Sequence, residues 1–216
     1  MEAQAAFPRR IETNSPLTGE LVCLLKENIT PKSVYWIYEC KVDSSTVSFG
    51  GMTVSSHSLA GHLKGCRRIV LLAATLGTSA DMLIRKYSVQ DIEKALIAQG
   101  ACAAMIEAYL DETEKDFSQE KELKGLFPVT RYSPGYGDFD IACQKDILNL
   151  LDAWRIGLSS TDGFMLIPSK SVTAVIGFSE EQKQCSQLKQ CAAKCAVCAY
   201  SEDTSTYKKC GFRGAV

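Results

Sequence analysis

The chain has 216 residues, of which 46 % are hydrophobic and 23 % charged, and its formal net charge is −1. It is long enough for one sizeable core, carries no general basic field for nucleic acid or an anionic membrane, and has no apolar run near the ~20 residues that span a bilayer. The N-terminal stretch MEAQAAFPRRIETN places its arginines after the apolar residues and lacks a signal-peptide core, so the expected location is cytoplasmic.

Residues 17–28 carry a helical pattern with Leu21, Leu24 and Leu25 on one face. Ser33 to Cys40 is rich in β-branched and aromatic residues and reads as a strand. Thr46 to Val54 alternates around Gly50 and Gly51, a second strand with a bulge or turn. Ser56 or Ser58 caps a short helix that runs to Leu63 and stops at Gly65. Arg68 to Thr75 is a continuous apolar run of buried-strand length, closed by a turn at Gly77.

Asp81 to Lys86 reads as a short helix. Ser88 and Asp91 then form a capping signature for a long helix from about Val89 to Lys115. Gly100 inside that helix is flanked by alanines, which points to a close backbone contact. Residues 116–127 are a polar connector, and a helix from about Ala142 to Ala153 precedes two strands at 163–167 and 171–178, the second ended by Gly177. Long helices among hairpin-like strand pairs predict an α+β fold. No G-x-G-x-x-G turn follows a strand, so the common dinucleotide-binding fold is not supported.

Between connector and helix lies Arg131 to Asp140, RYSPGYGDFD. Pro134 fixes φ at the start of a turn and Gly135 accepts a geometry that a Cβ would forbid. Such a turn offers backbone groups to a small molecule, next to an arginine able to grip a carboxylate bidentately. The Arg-x-x-x-Gly-Tyr loop resembles the S-adenosylmethionine loop of the activation domain of cobalamin-dependent methionine synthase. The segment from Gln144 to Ser179 is similar to that domain in its order of helix, strand, proline break and strand. LAGHLKGCRRIVLLAATLG and ALIAQGACAAMIEAYLDE resemble its stand-alone versions.

The resemblance implies one α+β domain over residues 1–184, built on a bent antiparallel sheet flanked by long helices. It further implies that Arg131 takes the ligand's carboxylate, that the backbone of Ser133, Pro134 and Gly135 meets the adenosine, and that Tyr136 supplies an aromatic surface and a hydroxyl. An aromatic face attracts a sulfonium by about 0.5–2 kcal/mol. Glu107 matches a family glutamate, with an ordinary exposed helix position as the alternative. Two positions depart from the family. A ligand tyrosine falls at Cys185, and a glutamate before the arginine falls near Gly125, for which Glu122 is a substitute candidate. Asp138 and Asp140 are read as an acidic cap on the following helix.

Half of the ten cysteines, Cys23, Cys40, Cys66, Cys102 and Cys143, sit in apolar or helical context and read as buried thiols. The other five lie in residues 185–216. Cys191, Cys195 and Cys198 have C-x3-C-x2-C spacing, with Cys185 before and Cys210 after. This set suits an iron–sulfur or zinc site made by Cys195, Cys198, Cys210 and Cys191, with Cys185 as an alternative ligand. The same spacing also describes one stripe of a helix. His57 and His62 are poorly spaced for a shared metal, and Ser171 has no partner base.

What the resemblance implies for function is a reactivation subunit. It would hold S-adenosylmethionine for reductive methylation of cobalamin carried by a methionine synthase lacking its own activation domain, or by another corrinoid protein, with an electron donor as a further partner. No side chain need act as acid, base or nucleophile. The rival is a metal-binding electron-transfer or interaction module that keeps the fold without the methyl donor.

Overall fold

A computed structural model describes residues 16–181. The elements in chain order are α1 (Pro16–Asn28), β1 (Lys32–Val42), β2 (Thr46–Phe49), β3 (Met52–Ser55), α2 (His57–His62), β4 (Cys66–Thr75), α3 (Thr78–Gln90), α4 (Ile92–Asp116), β5 (Phe127–Pro128), α5 (Cys143–Leu150), β6 (Ser159–Ser160), β7 (Leu166–Ile167) and β8 (Ser171–Ser179). Six strands form one sheet in the order β3-β2-β1-β4-β8-β5, with every neighbouring pair antiparallel. The fold is α+β.

The continuous apolar run in β4 is explained by its central place. Residues Ile69 to Ala74 are fully buried, because the sheet is covered on both faces. Side chains alternate along a strand. Val70, Leu72 and Ala74 accordingly join Ile176 and Phe178 in one core under α1, α3 and α4. Ile69, Leu71 and Ala73 join Val175 in a second core under α2, α5 and the short turn of helix at Ala153–Ile156. β1 follows the same rule, with Tyr35 and Ile37 facing the first core and Val34, Tyr38 and Cys40 the second.

Several boundaries differ from the sequence reading, each for a local reason. Gly50 and Gly51, at φ 54° and 85°, make a two-residue hairpin turn, so Thr46 to Val54 is two strands. α3 extends to Gln90, and Asp91 rather than Ser88 caps α4: its carboxylate accepts from the N–H groups of Glu93 and Lys94 at 3.1 and 3.2 Å. Ser88 instead donates back to the Arg85 carbonyl at 2.7 Å. Gly100 faces open space, so no close contact accounts for it. The expected strand at 163–167 shrinks to Leu166–Ile167, because Phe164 at φ 63° belongs to a turn closed by its N–H on Thr161 O. Cys66 and Cys102 are buried as expected, Cys40 and Cys143 are half-buried, and Cys23 is exposed. Burial pushes the Cys40 and Cys102 thiols up to about 11.

Gly177 does not end β8, which runs on to Ser179. A Cβ at Gly177 would lie 2.6 Å from Cys66 Sγ, 2.6 Å from Leu63 Cδ2 and 3.0 Å from Val129 Cγ2. Here glycine lets the end of α2 and the chain leaving β5 close over the sheet. Gly177→Ala should therefore destabilise the fold by about 1–3 kcal/mol in urea denaturation, through overpacking. An unchanged midpoint would contradict this close approach.

Candidate functional site

The chain leaving β5 stays fastened to β8 before it turns away. Val129 N–H donates to Gly177 O at 2.8 Å, and Tyr132 exchanges two backbone hydrogen bonds with Val175, at 2.9 and 2.8 Å. Neighbours in this extended stretch point to opposite faces. Arg131 meets α4 on the first face, and Tyr132 packs against the second core.

The turn itself is built from within. Pro134 is buried, and Gly135 takes φ 91°, where an L side chain is strained. Gly135 N–H donates to Phe139 O at 2.7 Å, Tyr136 N–H to Ser133 O at 3.2 Å, and Phe139 N–H to Tyr136 O at 3.0 Å. The N–H groups of Gly135 and Tyr136 thus hold the turn rather than facing outwards, contrary to the expectation of open backbone donors. The Tyr136 ring is 59 % exposed and stands edge-on to Tyr132, centroids 5.9 Å apart. Tyr132 in turn stacks on Phe139 and lies 4.9 Å from the His62 ring. Tyr132 and Phe139 escaped the sequence reading. Their signal was an aromatic on each side of Tyr136 in a loop that is otherwise small or acidic between them.

The second half of the loop is tied to α2. Asp138 accepts hydrogen bonds from Ser56 Oγ at 2.5 Å, from Ser58 N–H at 2.9 Å and from His57 N–H at 2.7 Å. The Ser56 hydroxyl and the N–H groups of Ser58 and His57 hold its carboxyl well below the usual carboxylate range. Asp138 therefore caps α2 and not the helix that follows it in sequence. Asp140 does serve the following helix, by accepting from Ala142 N–H at 2.9 Å. A Cβ at Gly137, whose φ is 57°, would lie 2.6 Å from Ser58 Oγ and 2.8 Å from the Tyr132 hydroxyl. No larger residue fits between loop and helix.

Arg131 is engaged on its own chain. Glu107, Asp111 and Glu114, at i, i+4 and i+7 on α4, share one face of the helix. Arg131 Nη1 donates to Glu114 Oε1 at 2.6 Å, and Nη2 donates to Glu107 Oε2 at 3.0 Å and Asp111 Oδ1 at 2.9 Å. The structure thus brings Arg131 and Glu107 together and adds two carboxylates that the sequence reading missed. Burial raises the Glu114 carboxyl above its ordinary value, which Arg131 only partly offsets. For Arg131 burial acts to lower the guanidinium's value, but the three carboxylates outweigh it and the net shift is upward. A ligand carboxylate docking bidentately on Arg131 would compete with these partners.

Glu122 does not join this group. It pairs with Arg68 at 2.9 Å on the rim of an open cleft of about 840 Å³ at the Cys66 end of β4. Gly125 takes φ 80° in a turn. The cleft's lining includes none of Arg131, Glu107 or Ser133–Tyr136, and its arginines are matched by carboxylates: Arg67 pairs with Glu180, and Arg68 with Glu122 and Glu39. Among the described residues no group of three His, Cys, Asp or Glu side chains is placed to hold a metal ion, and no helix is long and apolar enough to cross a membrane. Cys185, Cys191, Cys195, Cys198 and Cys210 lie outside the described residues.

No protein-family model and no curated protein matches this chain. Its fold is similar to a solved structure, the crystal structure of the MetH reactivation domain bound to AdoHcy, with a TM-score of 0.58 and 14 % sequence identity. The match covers 78 % of this chain and 66 % of that one, so the chain spans just under two thirds of its neighbour's length. At this identity the likeness is one of fold.

The Asp138 contacts make a pH-dependent contribution of known sign. A depressed folded-state value stabilises the fold above the unfolded aspartate value of about 3.9 and is lost as pH falls below it. Asp138→Ala should lower the melting temperature by a constant amount above about pH 5, and the gap should close on acidification through about pH 4 and below. A gap independent of pH would show that the charge on Asp138 does not hold the loop.

Proposed function

We propose that the loop from Arg131 to Tyr136 binds S-adenosylmethionine. In this reading the protein presents it as methyl donor to a cobalamin carried by a partner, either a methionine synthase without its own activation domain or another corrinoid protein, with a separate electron donor. One coincidence carries the reading. The Arg-x-x-x-Gly-Tyr loop sits on a fold similar to that of a reactivation domain solved with AdoHcy, and in this chain it forms an internally hydrogen-bonded turn that follows Arg131 and presents the exposed Tyr136 ring.

The corrinoid supplies the nucleophilic metal centre, and this chain binds and orients the donor. Arg131 would receive the α-carboxylate through charge-assisted hydrogen bonds. Among the described residues the carbonyls of Pro134 and Gly135 accept no backbone hydrogen bond, which leaves them for the adenine amino group. The Tyr136 face would lie against the sulfonium or adenosine. Glu107, already at the arginine, is within the same constellation for the ligand's ammonium. Tyr132, Phe139 and Asp138 keep the turn in one position, which reduces the ordering cost of binding.

Isothermal titration should give micromolar affinity for S-adenosylmethionine, about −7 to −8 kcal/mol. Arg131→Ala should weaken it by about 2 kcal/mol or more, because a charge-assisted contact is lost. No binding by the wild-type chain, or an unchanged constant in the variant, would contradict the assignment of this loop. For the partner half, a synthase lacking its activation region, mixed with this protein, a reductant and S-adenosylmethionine, should regain its methylated cofactor by absorbance. Failure to do so, with ligand binding intact, would contradict that half alone.

A further inference from the structure

We propose that Glu114 is the positioning residue for Arg131. It fixes the guanidinium through Nη1 and leaves the Nη2 edge as the place where a ligand carboxylate exchanges with Glu107 and Asp111. This rests on the reading of the loop as an S-adenosylmethionine site.

The three carboxylates around Arg131 are not equivalent. Glu114 holds Nη1 by itself, at 2.6 Å, and its side chain is 31 % exposed. Glu107 and Asp111 share Nη2 at 3.0 and 2.9 Å, and their side chains are 59 % and 57 % exposed. Two like charges on one nitrogen repel each other, and exposed ion pairs contribute little to stability, so these two contacts are the replaceable ones. A guanidinium is planar and presents two donor-bearing edges. A carboxylate can therefore dock along the Nε–Nη2 edge with two parallel hydrogen bonds while Nη1 stays on Glu114.

Glu114 sits on a stretch of α4 that is anchored in the first core. Its neighbours on α4, Leu110 and Thr113, are fully buried, and Thr113 Oγ1 donates to the Tyr109 carbonyl at 2.9 Å. On the other side, Arg131 is held by the Tyr132–Val175 backbone pair. The Glu114–Arg131 contact joins these two fixed points, one on the helix and one on the sheet. It orients the free edge of the guanidinium relative to the Ser133–Tyr136 turn. Exchange at Nη2 then frees Asp111 to water and Glu107 to the ligand's ammonium without moving the arginine.

The test compares wild type, Glu114→Ala and the shape-conserving Glu114→Gln with three ligands. S-adenosylmethionine and S-adenosylhomocysteine carry the amino-acid carboxylate, and 5′-methylthioadenosine lacks it. Glu114→Ala should weaken the first two about tenfold or more and leave the third within about twofold, with Glu114→Gln in between. Unchanged affinity, or an equal loss for all three ligands, would overturn the positioning role. A second readout needs no ligand: nitrogen-15 NMR of the arginine side chains. In the wild type Arg131 should show hindered, resolved Nη signals that Glu114→Ala collapses. If those signals depend on Glu114 while the wild type binds none of the three ligands, the loop assignment fails and the anchoring of Arg131 stands. If they are the same in wild type and Glu114→Ala, the anchoring itself is overturned.

Discussion

The antiparallel pair β4–β8 is the constraint on which the remaining structure depends. Its nine register pairs, from Cys66–Ser179 to Thr75–Ser171, lie at the centre of the sheet, and both faces are sealed by helices. Burial on two sides demands apolar residues through the middle of β4, which the run from Ile69 to Ala74 supplies. The loop that carries the candidate site is attached to the free side of β8 through Val129 and Tyr132. Its position is therefore set by a strand that is buried from Thr173 to Ser179 and paired along its length with β4. A site held on a rigid frame in this way needs little reorganisation to receive a ligand.

Attachment to an edge also divides the loop's residues between the two faces. Arg131 goes to the α4 side and Tyr132 to the α2 side, so the polar and aromatic parts of the site are supported by different cores. On the α4 side, three carboxylates surround one guanidinium and leave a local excess of negative charge. That excess keeps Arg131 occupied in the ligand-free state. It also makes the neighbourhood favourable to a ligand that brings an ammonium or sulfonium along with its carboxylate, and unfavourable to a simple anion. On the α2 side, Asp138 and Gly137 hold the turn against a helix that is distant in sequence.

Much of the fold was legible in the sequence because its signals are periodic. The β-branched and aromatic run in β1, the alternation across β2 and β3, the apolar run in β4 and the helical stripes gave the α+β class and most elements. Boundaries were less legible where two residues compete for one task, as Ser88 and Asp91 do for the start of α4, because only the final backbone path decides which side chain reaches the free N–H groups. Gly177 and Gly100 show the same limit. One is fixed by what packs across the sheet and the other faces solvent, and neither fact can be read from the residues next to it in the chain. Within the site, Arg131, Gly135 and Tyr136 stood out by residue type and spacing. Asp111, Glu114 and Tyr132 did not, because their roles depend on long-range placement. An acidic stripe on a helix reads as a solvated face until an arginine from another element is seen to lie on it.

The most direct measurement is a crystal structure of the chain with S-adenosylmethionine. The expected density places the ligand carboxylate on Arg131 in exchange for Glu107 and Asp111, with the adenosine along Ser133 to Gly135 and the Tyr136 ring against the ligand. Density in the cleft beside Arg67 and Arg68 instead, or an Arg131 still bound to all three α4 carboxylates at saturating ligand, would contradict the assignment.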